Sequence, residues 1–185
     1  MAMGFSKVTM DELVRQLGIS KKTMYQHFRS KDELLEAVVE WQIIEVSGKL
    51  KAIMDSPGDF AGKLLGLWTL IGNMLSRFSR QMQDDLRRFR PDLWQRIDEI
   101  RRKNVRANFT HLIEEGIRMN FIRPDVDKEI LMLIFLNSVS GIVNPEVLVE
   151  QQFTAEQAFK TIFRVLLDGV LTDKAREHFR KKMFD

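Results

Sequence analysis

"GISKKTMYQHF", Gly18 to Phe28, decides the reading of this chain. Gly18 is a natural helix stop, because glycine takes the left-handed conformation without steric cost. Ser20 is a natural N-cap, because its hydroxyl accepts a free N–H of the next helix's first turn. The helix it opens is short, since the pattern closes at Phe28. The segment carries two adjacent lysines, an aromatic and a histidine, and no acid. From Leu13 to Lys31 the bases are Arg15, Lys21, Lys22, Arg29 and Lys31, while Asp11, Glu12, Asp32 and Glu33 stand just outside. The whole 185-residue chain nets only +3, so a basic function is local.

The flanks complete a motif. Upstream, Thr9-Met10-Asp11-Glu12 reads as a capping box, with Met10, Leu13, Val14 and Leu17 following at helical spacing. Downstream, Ser30-Lys31-Asp32-Glu33 is a second box, opening a long helix with Leu34, Leu35, Val38, Trp41 and Leu50 inward and an end near Pro57-Gly58. Helix, glycine turn, short basic helix, turn, helix is the logic of a helix-turn-helix. In the short helix Ile19, Met24 and Phe28 can pack inward, leaving Lys21, Lys22, Thr23, Gln26 and His27 for the outside or the helix's edges, while Tyr25 has both an apolar ring and a polar tip. Lysines neutralise phosphates and release counterions. Thr, Gln and His hydrogen-bond base edges, and a tyrosine hydroxyl reaches a phosphate.

The rest of the chain is also helical. Asp59 caps a helix to about Arg80 that is apolar around most of its circumference. A polar helix spans Met82 to Phe89, and Pro91 starts a long one ending near Asn120. Asp125 or Asp127 starts another, broken at Asn144-Pro145, and Thr154-Ala155-Glu156-Gln157 boxes the last. No strand alternation or internal repeat interrupts this. The fold class is all-α: a helix-turn-helix domain at 1–50 and an effector-binding and dimerisation bundle at 51–185.

Composition excludes several functions. There is no cysteine, hence no disulfide, thiolate nucleophile or cysteine metal site. No apolar run approaches the ~18 residues of a membrane span. The three histidines, His27, His111 and His178, have no i, i+4 pairing for a metal. Asp84-Asp85 and Asp98-Glu99 alternate with arginines and read as a solvated salt-bridged face rather than paired catalytic carboxylates. No phosphate-binding loop or nucleophile motif appears. No metal, cofactor or catalytic residue is assigned, and the chain reads as a cytoplasmic non-enzyme.

Gly4-Phe5, Val8-Thr9-Met10, Leu17-Gly18-Ile19-Ser20, Thr23 to Phe28 and Lys31-Asp32-Glu33-Leu34-Leu35 closely resemble the TetR family of bacterial transcriptional regulators. The resemblance is motif-specific over residues 4–40 and architectural beyond. It implies a homodimer that binds double-stranded operator DNA and releases it when a small molecule enters the C-terminal domain. It places Thr9, Lys21, Lys22, Thr23, Tyr25, His27 and Lys31 at DNA-contacting positions; Ser20 and Gln26 join them as candidates. The family carries a further helix before Gly4-Phe5, which covers the surface around Leu13, Leu17, Met24 and Phe28; only Met1-Ala2-Met3 stand there in this sequence. An upstream start codon, a truncated form, or loss of tight DNA binding accounts for this. The last case gives the alternative reading, a dimeric small-molecule-binding protein that no longer reads an operator.

Two further sites are expected. Trp68, Met74, Phe78, Met82, Trp94, Asn108, Phe109 and Phe135 are candidates to line an apolar pocket for a hydrophobic effector, although aromatic and methionine residues at helical spacing also serve as plain core. The last helix is apolar on more than one face. Phe159, Ile162, Phe163, Leu166, Leu167 and Val170 are therefore the candidate dimer interface, within the intermolecular four-helix bundle that the resemblance implies.

Overall fold

Most of the predicted caps open a helix. In the computed structural model, which describes residues 4–57, 59–77 and 80–176, a 3-10 turn at Phe5–Lys7 precedes α1 (Met10–Leu17), α2 (Lys21–His27), α3 (Lys31–Met54), α4 (Phe60–Arg77), α5 (Arg80–Phe89), α6 (Pro91–Arg118), α7 (Lys128–Ile142), α8 (Pro145–Glu150) and α9 (Ala155–Val170). Thr9 and Thr154 form complete capping boxes. Ser20 and Asp127 each accept a first-turn N–H. The Ser30 box is split: Ser30 Oγ accepts the Glu33 N–H at 3.1 Å, but the Glu33 carboxylate takes the N–H of Arg29 at 2.6 Å. Asn144-Pro145 does more than break a helix, because Asn144 caps α8 with Pro145 in its first turn. Among the described residues no strand forms beyond a single bridge between Ile122 and Leu171.

The helices gather into two units. One is drawn from Met1–Ser47 and Phe78–Ile100, the other from Gly48–Arg77 and Arg101–Asp185. In the first, Met10, Val14 and Met24 form a small core with Leu13, Phe28 and Leu34 packed on it. A second core joins Leu35 and Val39 of α3 to Leu86 of α5 and Leu93 of α6. Arg90 braces it by pairing with Glu36 on α3 and Asp92 on α6, and Arg96 pairs with Glu40 at 2.9 Å. Hydrogen bonding from Arg90 holds the Asp92 carboxyl down at about 2. Leu17, Ile19, Val38 and Trp41, which the helical period turns inward, are exposed, as is Ile44. Periodicity marks an apolar stripe; it does not say that a neighbour covers it.

In the second unit Phe60, Leu64, Leu112, Ile113, Ile122, Leu167 and Leu171 centre one core, with the Phe60 and Phe121 rings stacked at 5.5 Å. Gly116 is needed there for space: a Cβ would lie 2.6 Å from Ile122 Cδ1 and 2.7 Å from Phe60 Cζ. Lys63 of α4 is buried, and its ammonium donates to both oxygens of Glu115 on α6 at 2.8 and 3.0 Å. Arg123 N–H donates to the Val170 carbonyl and Thr172 N–H to that of Phe121, both at 2.9 Å. These bonds bring the approach to α7 beside the end of α9, so the two helices, which pack together, run antiparallel.

Candidate DNA-binding surface and effector core

The turn between α1 and α2 is made by the residue the sequence singled out. Gly18 has φ +65°, and the Ile19 N–H returns to the Val14 carbonyl at 3.3 Å, closing the α1 C-terminus. On α2 only Met24 is buried, and it faces Met10 and Val14. Lys21, Lys22, Thr23, Tyr25, Gln26 and His27 are all exposed. Two of these polar groups are engaged locally. Lys21 pairs with Asp11 at 2.7 Å, but both are exposed, so the pair contributes little and leaves the lysine available to a stronger anion. Thr23 shares a 2.8 Å hydrogen bond with Ser20, whose oxygen also accepts the Thr23 N–H at 3.0 Å. Thr9 is held by Glu12, and its N–H and hydroxyl hydrogen bonds keep that carboxyl below its ordinary range. Lys31 donates to the Ser6 carbonyl at 3.2 Å and lies 5.6 Å from the centre of the Phe5 ring. The nine candidate contacts thus share one end of the N-terminal unit, on α2 and the starts of α1 and α3.

One group there escaped the sequence reading. Asp85, expected on a solvated face, is only 3% exposed. Its carboxylate accepts the Ser6 N–H at 2.7 Å and a Gln81 side-chain N–H at 3.2 Å. Burial pushes this carboxyl up, but those hydrogen bonds and the Lys31 charge outweigh it and leave it below the usual range. The charge alternation of α5 was real, since Arg87 and Arg88 are exposed; its inner face was misjudged because Asp85 sits one turn from Gln81 and beside Leu86.

The pocket candidates separate. Met82 and Trp94 belong to the core of the N-terminal unit, packed near Leu86 and Leu93, with the Arg87 guanidinium 4.5 Å over the Trp94 ring. Phe78 lies outside the described residues. In the C-terminal unit an aromatic train runs from Trp68 through Phe163, Phe159 and Phe135 to Phe109, with centroid steps of 5.2, 5.9, 6.4 and 5.3 Å. Met74 is half-buried on α4. Asn108 spends its amide on the Asn104 carbonyl one turn back, at 2.7 Å. Among the described residues no group of three His, Asp or Glu side chains gathers as a metal site.

The interface candidates lie inside the chain. Phe159, Ile162, Leu167 and Val170 are buried, and Phe163 and Leu166 pack on the same cores. The sequence shows that α9 is apolar on two faces, and apart from Val165 those residues pack inside the chain, where α9 meets α4 and α7. The apolar groups turned outward are Val165 on α9 and Ile130, Leu133, Ile134 and Ile142 on α7.

Comparison with known proteins now bears on this geometry. Residues 2–38 match the family model described as bacterial regulatory proteins, tetR family. This N-terminal segment belongs to the TetR family. The chain is a DNA-binding transcriptional regulator, of a family of regulators and not of enzymes. Over 172 residues it is 26% identical to the uncharacterized HTH-type transcriptional regulator YvaF of Bacillus subtilis, spanning 92% of this chain and 89% of that protein. It is 24% identical to the HTH-type transcriptional repressor KstR2 of Mycolicibacterium smegmatis, over 95% and 86% of the two chains. In fold it resembles a transcriptional regulator from Cytophaga hutchinsonii, with TM-score 0.66, 19% identity and 91% of each chain covered. It also resembles FadR from Bacillus subtilis, solved with stearoyl-CoA, with TM-score 0.59, 17% identity and 90% and 91% covered. No described helix of the chain is long and apolar enough to cross a membrane.

Proposed function

We propose that this regulator is a cytoplasmic homodimeric repressor that reads a near-palindromic operator with α2 and leaves it when a hydrophobic effector enters the C-terminal unit. The observation that carries the reading is the division of α2: one buried anchor, Met24, and an otherwise exposed polar face of Lys22, Thr23, Tyr25, Gln26 and His27. In a two-fold dimer such helices enter successive major grooves about 34–36 Å apart. The interface is the outward face of antiparallel α7 and α9. A symmetric pair of such faces buries the same residues twice.

The effector is assigned to the region of Trp68, Met74, Phe109 and Phe135, between α4, α6 and α7. Aromatic walls without a charged group in the train suit an apolar body. The structural likeness to FadR, solved with stearoyl-CoA, supports a long apolar effector. Fluorescence anisotropy with the DNA upstream of the protein's own coding region, over a salt series with competitor DNA, tests the operator reading. Tight, competitor-resistant binding with a steep salt slope is expected. Weak, sequence-blind binding would instead favour a small-molecule-binding protein that no longer reads an operator. Stearoyl-CoA added to the bound complex tests the effector class; an unchanged anisotropy would reject long acyl thioesters.

A further inference from the structure

Asp85 lies 79 residues beyond Ser6 in sequence, yet its carboxylate holds the turn that precedes the DNA-reading helices. Three independent features fix that turn. Ser6 donates its N–H to Asp85 Oδ2 at 2.7 Å. Gly4 is buried so tightly against α5 that a Cβ there would overlap Asp85 Oδ2 and lie 2.6 Å from Gln81 Cγ. Gly4 has ordinary extended backbone angles, so the glycine serves space rather than conformation. The Phe5 ring meets Phe89, at the far end of α5, edge to face at 6.4 Å.

The other side of the same turn holds Lys31. The Ser6 carbonyl accepts the Lys31 ammonium at 3.2 Å, and the Phe5 ring lies 5.6 Å from it. The peptide of Ser6 is therefore gripped at both ends, its N–H by an acid of α5 and its C=O by a base of α3. A lysine ammonium on a four-carbon stem has many rotamers, and holding it by a carbonyl and a ring reduces what must be ordered when a phosphate arrives. The charges of Asp85 and Lys31 also act on one another.

We propose that Asp85 is a positioning residue for DNA binding: through the Gly4–Lys7 turn it orients Lys31 toward a phosphate, so operator affinity depends on α5. α5 is also the first helix of the N-terminal unit that the chain enters after leaving α4 of the effector-binding unit. A displacement of α5 would slacken the turn and release Lys31.

This inference rests on the DNA-contact reading of Lys31, and the test separates the two. Anisotropy with the upstream DNA is measured for Asp85→Asn, Gly4→Ala, Lys31→Ala, Lys22→Ala and the double change Asp85→Asn with Lys31→Ala. Loss of one charged contact lowers affinity by roughly tenfold and the salt slope by about one unit. Asp85→Asn and Gly4→Ala should each give such a loss, Gly4→Ala without removing any charge. Asp85→Asn should add no further loss once Lys31 is alanine, because its effect passes through that lysine; a merely structural defect would persist. If Lys22→Ala weakens binding while Asp85→Asn and Gly4→Ala match the parent, the positioning role is refuted and the DNA surface stands. If Lys22→Ala and Lys31→Ala both bind like the parent, the DNA-contact reading itself fails, and the role of Asp85 with it.

Discussion

Replacing Val165 by glutamate tests the proposed dimer face, and Phe163→Glu is its control. Val165 is 64% exposed in the subunit, and Ile130, Leu133, Ile134 and Ile142 are 55%, 50%, 46% and 37% exposed. Complete burial of a Val, Leu or Ile side chain is worth about 1.5–3 kcal/mol, so covering these exposed fractions yields roughly 4–8 kcal/mol per subunit and about twice that for a symmetric pair. Lost translational and rotational freedom opposes association by about 4–15 kcal/mol, so the margin is narrow. Val165→Glu removes roughly 1–2 kcal/mol of apolar burial per subunit and adds a carboxylate whose desolvation costs several kcal/mol. A net shift of about 4 kcal/mol per dimer raises Kd on the order of a thousandfold. Size-exclusion with light scattering should show a monomer at micromolar concentration, and subunit helicity should be unchanged. Phe163→Glu should behave differently, because its ring packs on Trp68 and Phe159 inside the subunit. Loss of that ring costs about 3–5 kcal/mol and a buried charge adds to it, so the expected result is unfolding. A Val165→Glu protein that stays dimeric with parental Kd would refute the assignment of this face.

Other outcomes follow from the same geometry. Lys22→Ala should weaken binding to all DNA sequences alike and flatten the salt slope by about one unit, read by anisotropy. Glu115→Gln leaves the Lys63 ammonium buried beside a neutral amide. It should lower stability by about 3 kcal/mol in denaturant melts, and the double change Lys63→Met with Glu115→Leu should recover much of the loss. Asp92 should titrate near 2 by carboxyl NMR. Its folded value lies below the ordinary unfolded one of about 3.9, so its contribution is present above that pH and disappears as pH falls toward 2. A midpoint above 3.5 would show that the Arg90 pair does not form in solution.

Local signals carried the helix starts and the exposed polar face of α2, the candidate DNA-reading helix. Thr9, Ser20, Gly18, Asp127 and Thr154 act through atoms within three or four residues of themselves, so their roles are written in short stretches. The alternation of exposed polar groups around Met24 is equally local. What stayed hidden depends on which distant surface covers a stripe. Trp41 and Phe163 are both aromatic residues at helical spacing; one is exposed, and the other sits between Trp68 and Phe159. Asp85 and Asp84 are adjacent acids in an arginine-rich helix, yet Asp85 is buried against the Ser6 N–H and the Gln81 amide while Asp84 is exposed. Lys63 and Glu115 are 52 residues apart and carried no signal that they meet.

The placement of α5 has a mechanical consequence for the reading head. Residues 10–28 by themselves bury little beyond Met10, Val14 and Met24, a core of three side chains. That is too little apolar burial to offset the entropy of ordering two short helices and a turn. The remaining support comes through α3, whose Leu35 and Val39 are buried only because Leu86 and Leu93 return to cover them. Arg90 adds to that return by pairing with Glu36 of α3 and Asp92 of α6. The elements that keep α2 in place are thus drawn from chain on both sides of α4. The Leu35–Leu86 contact and the Ser6–Asp85 bond are thus two points at which α5 supports α3 and the turn before α1.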